Sequence, residues 1–329
     1  NFKNTGMLSE LKGLADISLD PEYGSIVGFT TQELKDYFSG YIENAARQLG
    51  AEPEALLQRL TGYYDGYCFE KTATVRVMNP WSVMSFLIYP TRGFRDHWFQ
   101  TGGQPSVLKD LFRSGALKDP KNFAAVKTIP FSQLGGPAIG ENFSEVDLLT
   151  QTGYLTFKSV DGNIAIVDYS TEEVRHAMAG MYLHQLVGKT IEQAGVMDFA
   201  IRLVKDNPET LVRIFNRLLE SVDYEAYSIE DAKSVLAVIQ IAMINVRLSP
   251  VIKVIAKGES VLEVQAGERT IVLTLEYCHP DQEAEQLLQV AVSQLDKPFS
   301  GKLGGRMEIL KLVLVFSESD RRITVWSVA

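Results

Sequence analysis

From Pro250 to the end of the chain the hydrophobic period changes from that of helices to that of strands. This change limits the fold more than any other feature. PVIKVIAK, SVLEVQ and RTIVLTLEYC come first, and a helical pattern from about Asp281 follows, with Leu287, Leu288, Val290 and Leu295. EILKLVLVF and RITVWSV close the chain. A helix capped by Ser228, with Asp231 in its first turn, precedes Pro250 and carries Leu236, Ile239, Ile241 and Met243. The predicted order is α-β-β-β-α-β-β. EILKLVLVF is apolar at nearly every position, which predicts an interior strand shielded on both faces. In TIVLTLEYCH, Ile271, Leu273, Leu275 and Tyr277 alternate with Val272, Thr274 and Glu276, so one carboxylate shares a strand face with Val272 and Thr274.

Upstream, short helices alternate with turns. Thr30-Thr-Gln-Glu33 is a capping box opening a helix of Leu34, Tyr37, Phe38, Tyr41, Ile42 and Ala45 that Gly50 ends. Pro53 suits the first turn of a helix bearing Leu56, Leu57 and Leu60, and Asn79-Pro80 has N-cap and N1 chemistry for another. Asp65-Gly66, within YYDGYCF, reads as a turn, and Pro105 opens a helix with Val107, Leu108, Leu111 and Phe112. From Ser144 a short helix is followed by a strand over Tyr154–Val160, a turn at Asp161-Gly162 and a returning strand NIAIVDY. Ser170-Thr-Glu-Glu173 reads as a second capping box before a long helix. Helix, hairpin, helix is the outline of a winged-helix module. Neither the hairpin tip nor the preceding helix is rich in Lys or Arg, so a packing or spacer role is expected in place of DNA contact.

At 329 residues the chain is expected to hold two or three domains. Its net charge of −9 argues against sequence-blind binding to nucleic acid, although a local basic groove remains compatible with it. There is no run of about 18 apolar residues, so no membrane span is expected. Two cysteines far apart in sequence fit a reducing compartment and a cytoplasmic location. His176 and His184 lie two helical turns apart, too far to share one metal, and Cys278 and His279 point to opposite sides of a strand.

Several phrases in order resemble a bacterial family of uncharacterised proteins with an AAA-ATPase-like region and a PD-(D/E)XK nuclease-like domain. They are LSELKGLADISLDPEYGSIVGFTTQELKDYF, YYDGYCF, VMNPWSVMSFL, HWFQTGGQPSVL, LLTQTGYLTFKS and DYSTEEVRHAM. The resemblance implies a multidomain, mixed α and β chain. Its expected parts are a helical lid-like region over 1–115, a winged-helix-like segment over 116–190 and a helical connector over 191–227. A restriction-endonuclease-like α-β-β-β-α-β domain over 228–329 completes it. The chain opens at Asn1 and is expected to be a fragment that enters after the P-loop core. Gly188-Lys189-Thr190 is its only GK-[ST], with Leu183 where a Walker A loop needs its first glycine, so no nucleotide site is expected.

In active members of that nuclease superfamily an Asp ends the second core strand and Glu-x-Lys lies on the third, holding Mg²⁺ and activating water. Here the resemblance places Val261 at the Asp, Thr274 at the Glu and Glu276 at the Lys. Glu263 and Glu276 are the weak candidates for a relocated metal site, with Gln286 or Gln289 standing in for the lysine. The expectation is a degenerate domain in a non-catalytic regulatory or interaction scaffold, without a cofactor. Mg²⁺ enters only in the alternative, a metal-dependent nuclease with a relocated site. A winged-helix nucleic-acid-binding module is the third reading. The expected partner is another protein or the missing ATPase core.

Overall fold

The computed structural model describes residues 17–100, 119–132, 134, 144–187, 195–196, 198–254, 260–295 and 308–329. The chain is mixed α and β, and its described residues carry three sheets. It divides into two compact units, residues 1–116 with 126–177 and residues 117–125 with 178–329. The predicted helix from Pro105, the Gly188-Lys189-Thr190 tripeptide and Gly258-Glu259 lie outside the described residues.

In the first unit, α1 (Thr31–Tyr37) opens on the predicted capping box. The Glu33 carboxylate accepts the Thr30 N–H at 2.8 Å, and the Thr30 hydroxyl accepts the Glu33 N–H at 3.2 Å. α2 (Ser39–Leu49) ends at Gly50 in the left-handed region, and α3 (Pro53–Tyr64) begins on its proline. Leu34, Ile42, Leu56, Leu60, Tyr64 and Phe86 form the centre of one apolar core. Asp65-Gly66, expected as a turn, instead belongs to β1 (Asp65–Tyr67), which pairs antiparallel with β2 (Val77–Met78). Pairing overrides the local turn chemistry because Gly66 can take φ 138°. α4 (Pro80–Ile88) is capped by Asn79 as predicted, and α5 spans His97–Gln100.

β3 (Lys127–Pro130), α6 (Glu145–Gln151), β4 (Leu155–Asp161) and β5 (Ile164–Tyr169) follow. The predicted hairpin is present, with Asp161 opposite Ile164 across the turn, and β3 adds a third strand on the outer side of β5. α7 (Glu172–Leu186) begins in this unit.

In the second unit, α8 (Phe199–Lys205) leads to α9 (Pro208–Leu219), whose N-cap is Asn207. α10 (Ala232–Asn245) is capped by Asp231 and not by Ser228. Its carboxylate takes both the N–H and the hydroxyl of Ser234 at 2.7 Å, fixing the first turn three residues later than the sequence suggests. β6 (Val251–Val254), β7 (Ser260–Ala266), β8 (Arg269–Cys278), α11 (Ala284–Leu295), β9 (Glu308–Ser317) and β10 (Arg322–Val328) complete the predicted order. α11 starts three residues after Asp281, because His279 and Gln282 close a turn through two hydrogen bonds. The sheet runs β10-β9-β8-β7-β6, with β8 and β9 parallel and the other pairs antiparallel. EILKLVLVF, now β9, is interior as expected, and α10 packs on β6, β7 and β8.

The outer edge of β10 is closed at one residue by a side chain. The Asn216 amide of α9 accepts the Ile323 N–H at 2.6 Å and donates to the Ile323 carbonyl at 2.9 Å, in the manner of a neighbouring strand. Both residues are buried. Asn216→Leu removes both bonds and strands a buried backbone pair, so it is expected to cost about 2 kcal/mol. Denaturant titration of the full chain measures this, and an unchanged midpoint would contradict it.

Candidate functional site

On the tail sheet, Val261 of β7 lies directly across from Thr274 of β8, and both are buried. Opposite residues share a face, so Glu276, two residues along β8, lies on that face, beside Val315 of β9. Glu263 shares the face too, but its partner is Val272. That is four residues from Glu276 along β8, roughly 13 Å at about 3.3 Å per residue. The Glu263 carboxylate is engaged across the sheet by Lys253 Nζ of β6 at 2.6 Å. Gln286 donates to Glu283 within its own turn, and Gln289 is exposed on α11. The four predicted side chains are therefore not gathered into one cluster. Among the described residues no group of three or more His, Cys, Asp and Glu is placed to share a metal ion. Among the described residues the face carries the Lys253–Glu263 ion pair, with Val261 across from Thr274 at the positions where the resemblance calls for acids.

The first unit holds a polar centre that the sequence reading missed. Ser170-Thr-Glu-Glu173 does not form the expected capping box. Thr171 accepts the Val174 N–H at 3.2 Å and caps α7, while the Ser170 hydroxyl donates to the Gly153 carbonyl at 2.8 Å. Glu173 turns inward and is fully buried. Its carboxylate accepts the Ser82 hydroxyl at 2.8 Å and the Trp98 N–H at 3.0 Å. Burial pushes the carboxyl up to about 7, opposed by those hydrogen bonds. One turn along, His176 Nδ1 lies 2.7 Å from the Asp96 carboxylate, which also accepts the Tyr63 hydroxyl at 2.8 Å. The neighbouring His97 imidazole is held below its usual range by burial and by the Arg95 charge.

A cavity of 550 Å³ opens in the same unit, lined mainly by apolar groups including Ile26, Tyr67, Phe69, Leu155 and Phe157. Cys68 also lines it, but burial pushes its thiol up and Sγ donates to the Glu70 carbonyl at 3.5 Å, so it is a poor nucleophile. Glu70 is buried as well. Burial alone would raise its carboxyl, yet the Thr72 hydroxyl and the backbone N–H groups of Val75, Thr72 and Thr74 outweigh that and hold it at about 2. It therefore acts as a permanent anion that ties the loop between β1 and β2.

No family model matches this sequence, and no solved structure matches it. It is similar to an uncharacterised protein from the vnfD 5′ region of Azotobacter chroococcum mcd 1. The two are 28% identical over 159 residues, which are 48% of this chain and 27% of that protein. The match thus spans about a quarter of the relative's length. Among the described residues no helix is long and apolar enough to cross a membrane.

Proposed function

We propose that this chain is a non-catalytic regulatory or interaction scaffold, part of an AAA-ATPase-like protein whose tail is a degenerate PD-(D/E)XK nuclease-like domain. The observation that carries the reading is the buried pairing of Val261 with Thr274 on adjacent strands of a sheet with α-β-β-β-α-β order. A metal-assisted hydrolase needs carboxylates converging at that spot and a cation for the developing phosphate charge. Valine and threonine provide neither, and Glu276 sets negative charge where the resemblance calls for lysine. With Glu263 turned to Lys253, the relocated nuclease site has little to work with.

The segment with α6, the β4–β5 hairpin and α7 is proposed as winged-helix-like, in a packing role. Its cations are engaged within the fold: Lys158 donates to the Ser170 carbonyl at 3.1 Å, and Arg175 binds Asp168 at 2.7 Å. Burial also holds the Lys158 ammonium below its usual range.

Incubation with single- and double-stranded DNA and RNA in Mg²⁺ or Mn²⁺ tests the reading. The expected result is no cleavage. Cleavage that disappears in a Glu263→Ala, Glu276→Ala double variant would replace the scaffold by a nuclease.

A further inference from the structure

The outer edge of the tail sheet carries a groove of 460 Å³ between α9 and β10, and its chemistry differs from that of the chain as a whole. Arg213 and Arg217, one turn apart on α9, and Arg322 on β10 line it with Glu209 and Glu220. Arg213 meets Glu209 and Arg322 meets Glu220, each at 3.4 Å between exposed groups, so these contacts are weak and readily exchanged. Arg217 adds a third guanidinium. Its stem lies where a Cβ on Gly195 would come within 2.7 Å of Arg217 Cδ, so the glycine leaves it room. The groove is locally cationic in a chain of net charge −9.

A bulge in β10 supplies an aromatic anchor. Ile323 pairs with Phe316 and Trp326 with Leu314, two residues apart on β9, so the register shift between Ile323 and Val325 brings Ile323 and Trp326 to one face. Trp326 thereby lines the groove. Among the described residues β10 is the last strand of the sheet, and the Asn216 amide closes its edge at Ile323. The Ala329 N–H bonds back to Lys311 of β9, so by alternation the backbone groups of Trp326 and Val328 face outward. An outward strand edge, a tryptophan and arginines are the elements of peptide capture by strand addition.

We infer that the α9–β10 groove docks an extended acidic segment of a partner protein, which pairs with β10 at Trp326 and Val328 and sets its carboxylates against Arg213, Arg217 and Arg322. The inference rests on the scaffold reading and gives that scaffold a partner class. A single strand of nucleic acid fits less well, because two glutamates line the groove and would face its phosphates.

The test uses the full chain and an acetylated, amidated hexapeptide alternating glutamate with valine, followed by fluorescence polarisation. Binding is expected at low ionic strength, weakening as salt is added, and no binding of the lysine–valine counterpart. Arg217→Ala is expected to weaken binding about tenfold. Val328→Pro removes an outward N–H without touching the ladder to β9, and is expected to weaken it at least as much with unchanged melting. Equal affinity for both peptides, indifference to both substitutions, or tighter binding of a short oligothymidylate would overturn the inference. So would a concentration-dependent dimer that Arg217→Ala abolishes, since the occupant would then be a second copy. The cleavage assay is independent of all these outcomes. If it is negative and the peptide does not bind, the groove fails while the non-catalytic reading stands.

Discussion

Gly66→Ala is expected to destabilise the first compact unit by more than about 4 kcal/mol. Two costs combine. Gly66 sits at φ 138°, a conformation that an L side chain rarely adopts. A Cβ there would also run into the Ser170 carbonyl oxygen, a backbone atom that cannot swing aside. That carbonyl already accepts from Lys158 Nζ, so moving it would disturb the β4 side chain as well. Because the chain has two compact units, a single transition is not assumed, and unfolding should be followed by two spectroscopic signals. Loss of one transition with survival of the other is the expected outcome. A variant that melts with the wild type would show that β1 is not held against Ser170 as described.

Glu173→Gln should act in the opposite direction and only at high pH. The Glu173 carboxyl titrates at about 7 in the folded protein, against 4.5 for the ordinary group, because burial penalises its charged form. The folded state therefore holds a proton that the unfolded chain has released. Wild-type stability falls as pH rises from about 4.5 to about 7 and stays low above that, by about 3 kcal/mol. Glutamine keeps an acceptor for the Trp98 N–H and a partner for the Ser82 hydroxyl, but it carries no charge. The variant is expected to match the wild type near pH 4 and to exceed it by about 3 kcal/mol at pH 8. Chemical denaturation at the two pH values measures this. A variant less stable than the wild type at pH 8 would mean that the buried carboxylate is ionised and fully compensated.

What the sequence made legible follows the range of the forces involved. The Thr30 capping box and the Asn79 cap were readable because each is closed within three residues of its own chain. The order of elements after Asp231 was readable because alternation and continuous apolar runs separate strands from helices there. Ser170-Thr-Glu-Glu173 has the same local grammar as the Thr30 box, yet its glutamate bonds Ser82 and Trp98, residues 91 and 75 positions away. No local pattern carries that information. Asp65-Gly66 shows the same limit in reverse, since a dipeptide with turn chemistry was recruited into a strand by pairing with Met78. The groove on β10 was also out of reach. It depends on a bulge that turns Trp326 to the face of Ile323, and a strict period of two places them on opposite faces.

The pairing of Val261 with Thr274 has a consequence for how the tail sheet assembles. Where two or three carboxylates converge on a sheet, they repel one another until a divalent ion arrives, and part of the folding free energy is withheld until then. Where the resemblance calls for such acids, β7 and β8 set Val261 across from Thr274, and the carboxylate on β7 carries its own ammonium partner. On the scaffold reading proposed above, closure of these strands is expected not to depend on an ion. A chelator is expected to leave the melting of this sheet where it was, and a lowered transition would contradict this.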